Sequence, residues 1–86
     1  MKSFVTHKFW KAFGDLPDHI QKAARKQYAL WQSDPQHPSL QFKPIGRLWS
    51  VRVTQDYRAL AIMEDDGYYW IWIGTHADYD RILRGR

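Results

Sequence analysis

The chain has 86 residues, 44% of them hydrophobic and 16% aromatic, with a net charge of +4; that is one small domain, 1–86, with a thin core and too much apolar content for a disordered tail. The absence of cysteine excludes a disulfide framework or a thiolate metal site and fits a reducing compartment. Neither a signal peptide nor an apolar run of about twenty residues is present, so a cytoplasmic protein with no membrane partner is expected.

Ser3 to Thr6 reads as a short first strand. Phe9, Phe13 and Leu16 then recur at helical spacing, with Trp10 widening the stripe, Thr6 as N-cap, and Gly14 and Pro17 as stop signals. A second helix starts at Asp18, with Gln21 placed to complete a capping box, and stops before Asp34-Pro35. Ile20, Ala23, Ala24, Gln27, Leu30 and Trp31 form one face, and Lys22, Arg25, Lys26 and Ala29 lie opposite. The short Asp15-Leu16-Pro17 turn folds the two into a hairpin. Residues 33–39, with two prolines, form an ordered loop.

Strands are predicted at about 40–44, 47–54, 57–64 and 68–75, joined by turns at Gly46-Arg47 and Asp66-Gly67 that pair consecutive strands antiparallel. Alternation puts Tyr68, Trp70 and Trp72 on one face and Tyr69, Ile71 and Ile73 on the other, both apolar, so this strand is interior. Thr75 caps a last short helix, with Asp78 completing a capping box. The predicted fold is α+β: an N-terminal helical hairpin packed on a twisted, mainly antiparallel four- to five-stranded sheet, with a short C-terminal helix and the second sheet face partly open.

Residues 40–62 carry Lys43, Arg47, Arg52 and Arg58 against Asp56 alone, and the tail ends in Arg81, Arg84 and Arg86. Positive charge thus gathers on the sheet and the termini, as a nucleic-acid-facing patch would require, although ordinary solubilising charge reads the same way. Arginines within strands are costly to bury unpaired, and guanidinium suits a phosphodiester. His76, Tyr79 and Asp80 fall at i, i+3 and i+4, on one face of the last helix, where Asp80 can orient His76 as an acid or base. His76 and Asp80 are too few ligands for a metal site, and no cofactor is called for. Each residue also has a structural reading. Arg52 can pair with Asp56, Arg58 with Glu64 or Asp80, His76 can assist capping, and Tyr79 can dock the helix with Ile82 and Leu83.

The order of a helical hairpin, an antiparallel sheet and a short last helix accompanies Pro38-Ser39-Leu40, Trp49-Ser50-Val51-Arg52-Val53-Thr54, Asp56-Tyr57-Arg58-Ala59-Leu60 and Gly74-Thr75-His76-Ala77-Asp78-Tyr79-Asp80. Together these resemble the RelE/ParE superfamily of bacterial toxins over nearly the whole chain. The resemblance implies the toxin of a type II toxin–antitoxin pair, neutralised by a partner protein. RelE-like members cleave messenger RNA on the ribosome without a metal, whereas ParE-like members poison DNA gyrase. On the nuclease reading the resemblance implies Arg58, Arg52, His76 and Tyr79 as catalytic residues, with Lys43, Arg47, Arg81 and Arg84 contacting RNA. Gyrase inhibition and a non-catalytic binding module on the same scaffold stay open.

Overall fold

Val51 and Val53 on one strand, and Ala59 and Ala61 on its neighbour, turn their side chains to the same sheet face, and against that face the first two helices bury their apolar stripes. The computed structural model describes residues 2–85. In chain order the elements are β1 (Ser3–Val5), α1 (His7–Gly14), α2 (Asp18–Ser33), a single 3-10 turn (Pro38–Leu40), β2 (Lys43–Ile45), β3 (Leu48–Thr54), β4 (Tyr57–Glu64), β5 (Gly67–Thr75) and α3 (His76–Arg84). The five strands form one sheet in the order β1-β5-β4-β3-β2. Strands β2 to β5 pair antiparallel through hairpins, while β1 runs parallel to β5 at the edge.

Helix α1 packs on β5 and α2 on β3. Trp31, 1% exposed, is the centre of this layer, meeting Tyr68 and Trp70 edge-on with ring centroids 5.4 and 5.2 Å away. Thr6 caps α1 by accepting from the Phe9 amide, as its position predicts.

Three expectations are corrected. The capping box at Asp18 and Gln21 does not form, because Pro17 occupies the N-cap position and has no hydroxyl or carboxylate to offer. Gln21 instead reaches back across the turn, its Nε2 donating to the carbonyls of Phe13 and Leu16 at 3.1 and 3.2 Å. Both carbonyls lie at the α1–α2 turn, where the Phe13 carbonyl also accepts from the Leu16 amide at 3.1 Å, so Gln21 ties the end of α1 to the start of α2. The strand predicted from residue 40 begins at Lys43, since Pro38 and His37 start a 3-10 turn that buries Leu40 completely.

The third correction concerns β5. Its pairing with β4 slips between Leu60 and Ala61, leaving Ile71 as the extra residue of a bulge. Strict alternation therefore fails: Tyr68, Trp70 and Ile73 face the helices, and Trp72 faces the other side, opposite Leu60. Trp72 there lies along its own strand over Gly74, where a Cβ would meet the indole at 2.5 Å.

Candidate functional site

The face turned away from α1 and α2 is built in cross-strand rows. Ser50 pairs with Leu60, which pairs with Trp72; one row further, Arg52 pairs with Arg58, which pairs with Gly74. The two arginines are thus directly opposite each other on one face, an arrangement of like charges that weakens a sheet. Burial, and then the nearby Arg52, hold the Arg58 guanidinium below its ordinary pKa; Tyr79, Asp80 and Asp56 pull the other way. A second slip between Arg52 and Thr54 closes the hairpin beyond this pair.

Arg58 is anchored. Its Nη1 donates to the carbonyls of Thr54 at 2.6 Å, Tyr57 at 3.0 Å and Gln55 at 3.2 Å, tying the β3–β4 turn to the strand. Neither Arg52–Asp56 nor Arg58–Glu64 nor Arg58–Asp80 is an ion pair among the described residues. From the helix side, Gln27 donates to the Arg52 carbonyl at 3.0 Å and braces the same bulge.

Helix α3 starts immediately above the arginines. Thr75 caps it by accepting from the Asp78 amide, and the His76 amide donates to the Asp56 carbonyl at 2.7 Å, joining the helix start to the β3–β4 turn. His76 Nδ1 lies 3.1 Å from Asp80 Oδ2, with both side chains close to half exposed. That contact leaves Nε2 as the ring nitrogen not held by the carboxylate. Tyr79 turns the other way: it is 6% exposed, and its hydroxyl shares a 2.8 Å hydrogen bond with Ser50. The ring of Tyr79 meets His76 edge-on at 5.5 Å, so it supports the imidazole from below.

Arg58 therefore lies near Arg52, Asp80 and Tyr79, and His76 joins this group through its contacts with Asp80 and Tyr79. Lys43 shares the face, opposite Ser50 on the edge strand and exposed. Arg47 does not join them. It sits in the β2–β3 turn beside Met63 and Glu64, at the far end of the hairpin, about 16 Å along the strand from Arg52 at 3.3 Å per residue. Arg81 is ion-paired with Asp78 on the exposed side of α3, and Arg84 is exposed at its end; Arg86 lies outside the described residues. Positive charge is also less confined than the sequence pattern implied, because α1 and α2 expose Lys8, Lys11, Lys22, Arg25 and Lys26. Among the described residues no three His, Asp or Glu side chains gather as metal ligands, and no helix is long and apolar enough to cross a membrane.

Two residues were missed by sequence reasoning. Ser50, 2% exposed, is the buried partner of Tyr79, and its signal was a lone hydroxyl between Trp49 and Val51 in mid-strand. Trp72 reaches this face through a bulge that alternation does not reveal.

A three-helix, five-stranded α+β architecture with a short helix crossing the open sheet face is that of the RelE-like toxins. Among solved structures, YafQ from E. coli strain BL21(DE3) superposes with a TM-score of 0.73 at 13% identity, covering 91% of this chain and 96% of that one. The RelB–RelE antitoxin–toxin complex from Methanococcus jannaschii gives 0.70 at 18% identity, with the same coverages. The YoeB/ParE toxin from Agrobacterium tumefaciens gives 0.66 at 16%, covering 88% and 99%. No curated protein matches the chain. Residues 18–81 match the model of the ParE-like toxin domain, and the chain belongs to that family, within the RelE/ParE superfamily of toxins.

Proposed function

We propose that this toxin cleaves messenger RNA on the ribosome, using the RNA 2′-hydroxyl as the nucleophile, and that a cognate antitoxin protein neutralises it. The observation that carries the reading is the cross-strand pair Arg52 and Arg58, set on the open face beneath the His76–Asp80 contact.

Such cleavage needs three things: cations for the phosphorane oxygens, a base for the 2′-hydroxyl proton, and an acid for the departing 5′-oxygen. Arg58 is preorganised for the first role because three backbone carbonyls fix one end of its fork. Arg52 adds a second charge from the adjacent strand, and an anion between them relieves their mutual repulsion. His76, held through Nδ1 by Asp80, exchanges the proton through Nε2. Tyr79 acts as a positioning residue under the imidazole, since its hydroxyl is bonded to Ser50. Lys43 extends the cationic track along the exposed edge. Arg81 and Arg84 offer weaker, peripheral contacts, and Arg47 contacts a more distant part of the RNA.

The antitoxin follows from likeness to solved toxins such as RelE of M. jannaschii and RelBE2 of Mycobacterium tuberculosis, each described as an antitoxin complex. An acidic amphipathic segment suits a face that combines Arg52 and Arg58 with exposed Phe4, which stacks on Tyr69. Gyrase inhibition is the second reading. It is favoured by the ParE-like character of the matching family model, and by Tyr79 being unavailable to substrate in this conformation.

The test expresses the wild type, Arg58→Ala and His76→Gln, maps new 5′ ends on ribosome-associated messages, and reads plasmid topology in parallel. New ends that vanish in both variants support the nuclease. Growth arrest with intact messages and altered DNA topology assigns the chain to gyrase, and no arrest leaves a binding module.

A further inference from the structure

Of the five tryptophans, Trp10, Trp31, Trp49 and Trp70 each meet another aromatic ring. Trp70 also donates through Nε1 to the Ser3 hydroxyl at 3.1 Å. Trp72 does neither. Among the described residues its ring has no aromatic partner, and its Nε1 has no acceptor. Nor is that donor sealed in. Among the described residues Trp31 alone has a buried, unpartnered Nε1, and Trp72 is partly exposed.

The bulge at Ile71 puts this side chain on the open sheet face, in the row next to the arginines. Its indole lies over Gly74, the residue paired with Arg58 one strand spacing of about 4.8 Å away. Indole Cζ2 and Cε2 lie 2.5 and 3.1 Å from where a Gly74 Cβ would stand. Nε1 is bonded to Cε2, so the free donor belongs to the end of the ring nearest the Arg58 row. Trp72 also sits opposite Leu60, which is 1% exposed, and that explains an apolar residue at this position. It does not explain an indole. A leucine would cover Leu60 without an idle N–H, and without a glycine kept bare in mid-strand, where glycine weakens a sheet.

Resting on the nuclease reading, we propose that Trp72 is a substrate-binding residue that selects for a purine next to the scissile phosphate. Its indole stacks on that base, and its Nε1 donates to an oxygen of the same nucleotide. The two neighbouring rows match the two halves of a nucleotide: a cation pair for the phosphate, and a flat apolar ring for the base. Cations alone hold any polyanion, whereas an indole beside them suits one that carries unstacked bases, as single-stranded RNA does. Tryptophan fits the position because it joins a large aromatic face to a polar handle. Every base has a face to stack, and a purine has the larger one, so the preference is graded rather than absolute.

The test titrates the full chain at low salt with 2′-O-methyl RNA tetranucleotides, which lack the attacking hydroxyl and stay intact. One carries adenines, one uracils, and one is abasic on the same backbone. Proton–nitrogen correlation spectra follow the indole and guanidinium groups. The adenine strand should shift the Trp72 Nε1–H resonance and bind about tenfold more tightly than the abasic one, with uracil between them. In Trp72→Leu, which still covers Leu60, the three should bind alike. The comparison of strands is made on the wild type, so it decides the matter even if that variant does not fold. The proposal is overturned, with the RNA reading intact, if all three strands move the Arg52 and Arg58 signals equally and leave Trp72 unmoved. It is equally overturned if a folded Trp72→Leu keeps the difference between strands. If no strand binds at millimolar concentration, the RNA reading and this proposal fall together.

Discussion

Ser50 on β3 and Tyr79 on α3 are joined hydroxyl to hydroxyl at 2.8 Å, both nearly fully buried and 29 residues apart in sequence. This bond fixes the last helix across the open sheet face, and with it the height of His76 above the arginines. Tyr79→Phe keeps the ring packing and strands the Ser50 hydroxyl. A loss of about 1–3 kcal/mol in urea unfolding is expected. Ser50→Ala combined with Tyr79→Phe should cost less than the two singly, because no orphaned hydroxyl remains. Additive losses would mean that the bond is not the coupling element.

Arg52→Gln should make the protein more stable. It removes a like charge placed directly across from Arg58, a repulsion worth roughly 0.2–1 kcal/mol for exposed cross-strand pairs. The gain should shrink as salt is raised, since screening already weakens the repulsion in the parent. RNA affinity should fall in the same variant. Thermal melts at low and high salt check the first claim, and a decrease in Tm at low salt would refute it.

Arg58→Ala acts on two levels. It removes a phosphate donor, for which an oxyanion-type contact sets a loss of about a hundredfold in rate on the nuclease reading. It also releases the carbonyls of Thr54, Gln55 and Tyr57, so the β3–β4 turn loosens. Hydrogen exchange at the His76 amide, which is bonded to Asp56 in that turn, should accelerate. Arg58→Lys retains the charge and loses the fork, so partial binding with poor cleavage is the expected outcome.

Gly67→Ala tests the edge of the sheet, far from the arginines. Gly67 has φ +153, and a Cβ there would run into the Lys2 carbonyl, which accepts from the Tyr68 amide at 3.0 Å. The substitution should cost about 1–3 kcal/mol through strain and displace β1 from β5. Faster exchange of the Tyr68 amide, with unchanged behaviour of the β3–β4 hairpin, would locate the damage.

The sequence by itself determined the element order, because helical and strand periods, Pro-Gly punctuation and the Thr6 and Thr75 caps are local signals. It also marked Arg52, Arg58, His76 and Asp80, since charged groups interrupting apolar strands, and an i, i+4 pair on a helix, are visible in one dimension. Tertiary structure decided the rest. Face assignment on β5 turned on a bulge at Ile71, a pairing slip that no residue type announces and that moved Ile73 inward and Trp72 outward. That the two arginines emerge on one face follows from the β3–β4 register, which hydrogen bonding between strands sets. The hydrogen-bond partners of Gln21 and Tyr79 were set by what folding brings near them: carbonyls at the end of α1 for one, and the Ser50 hydroxyl for the other. A polar side chain goes to whichever hydrogen-bonding group comes within reach, and that proximity exists only in three dimensions.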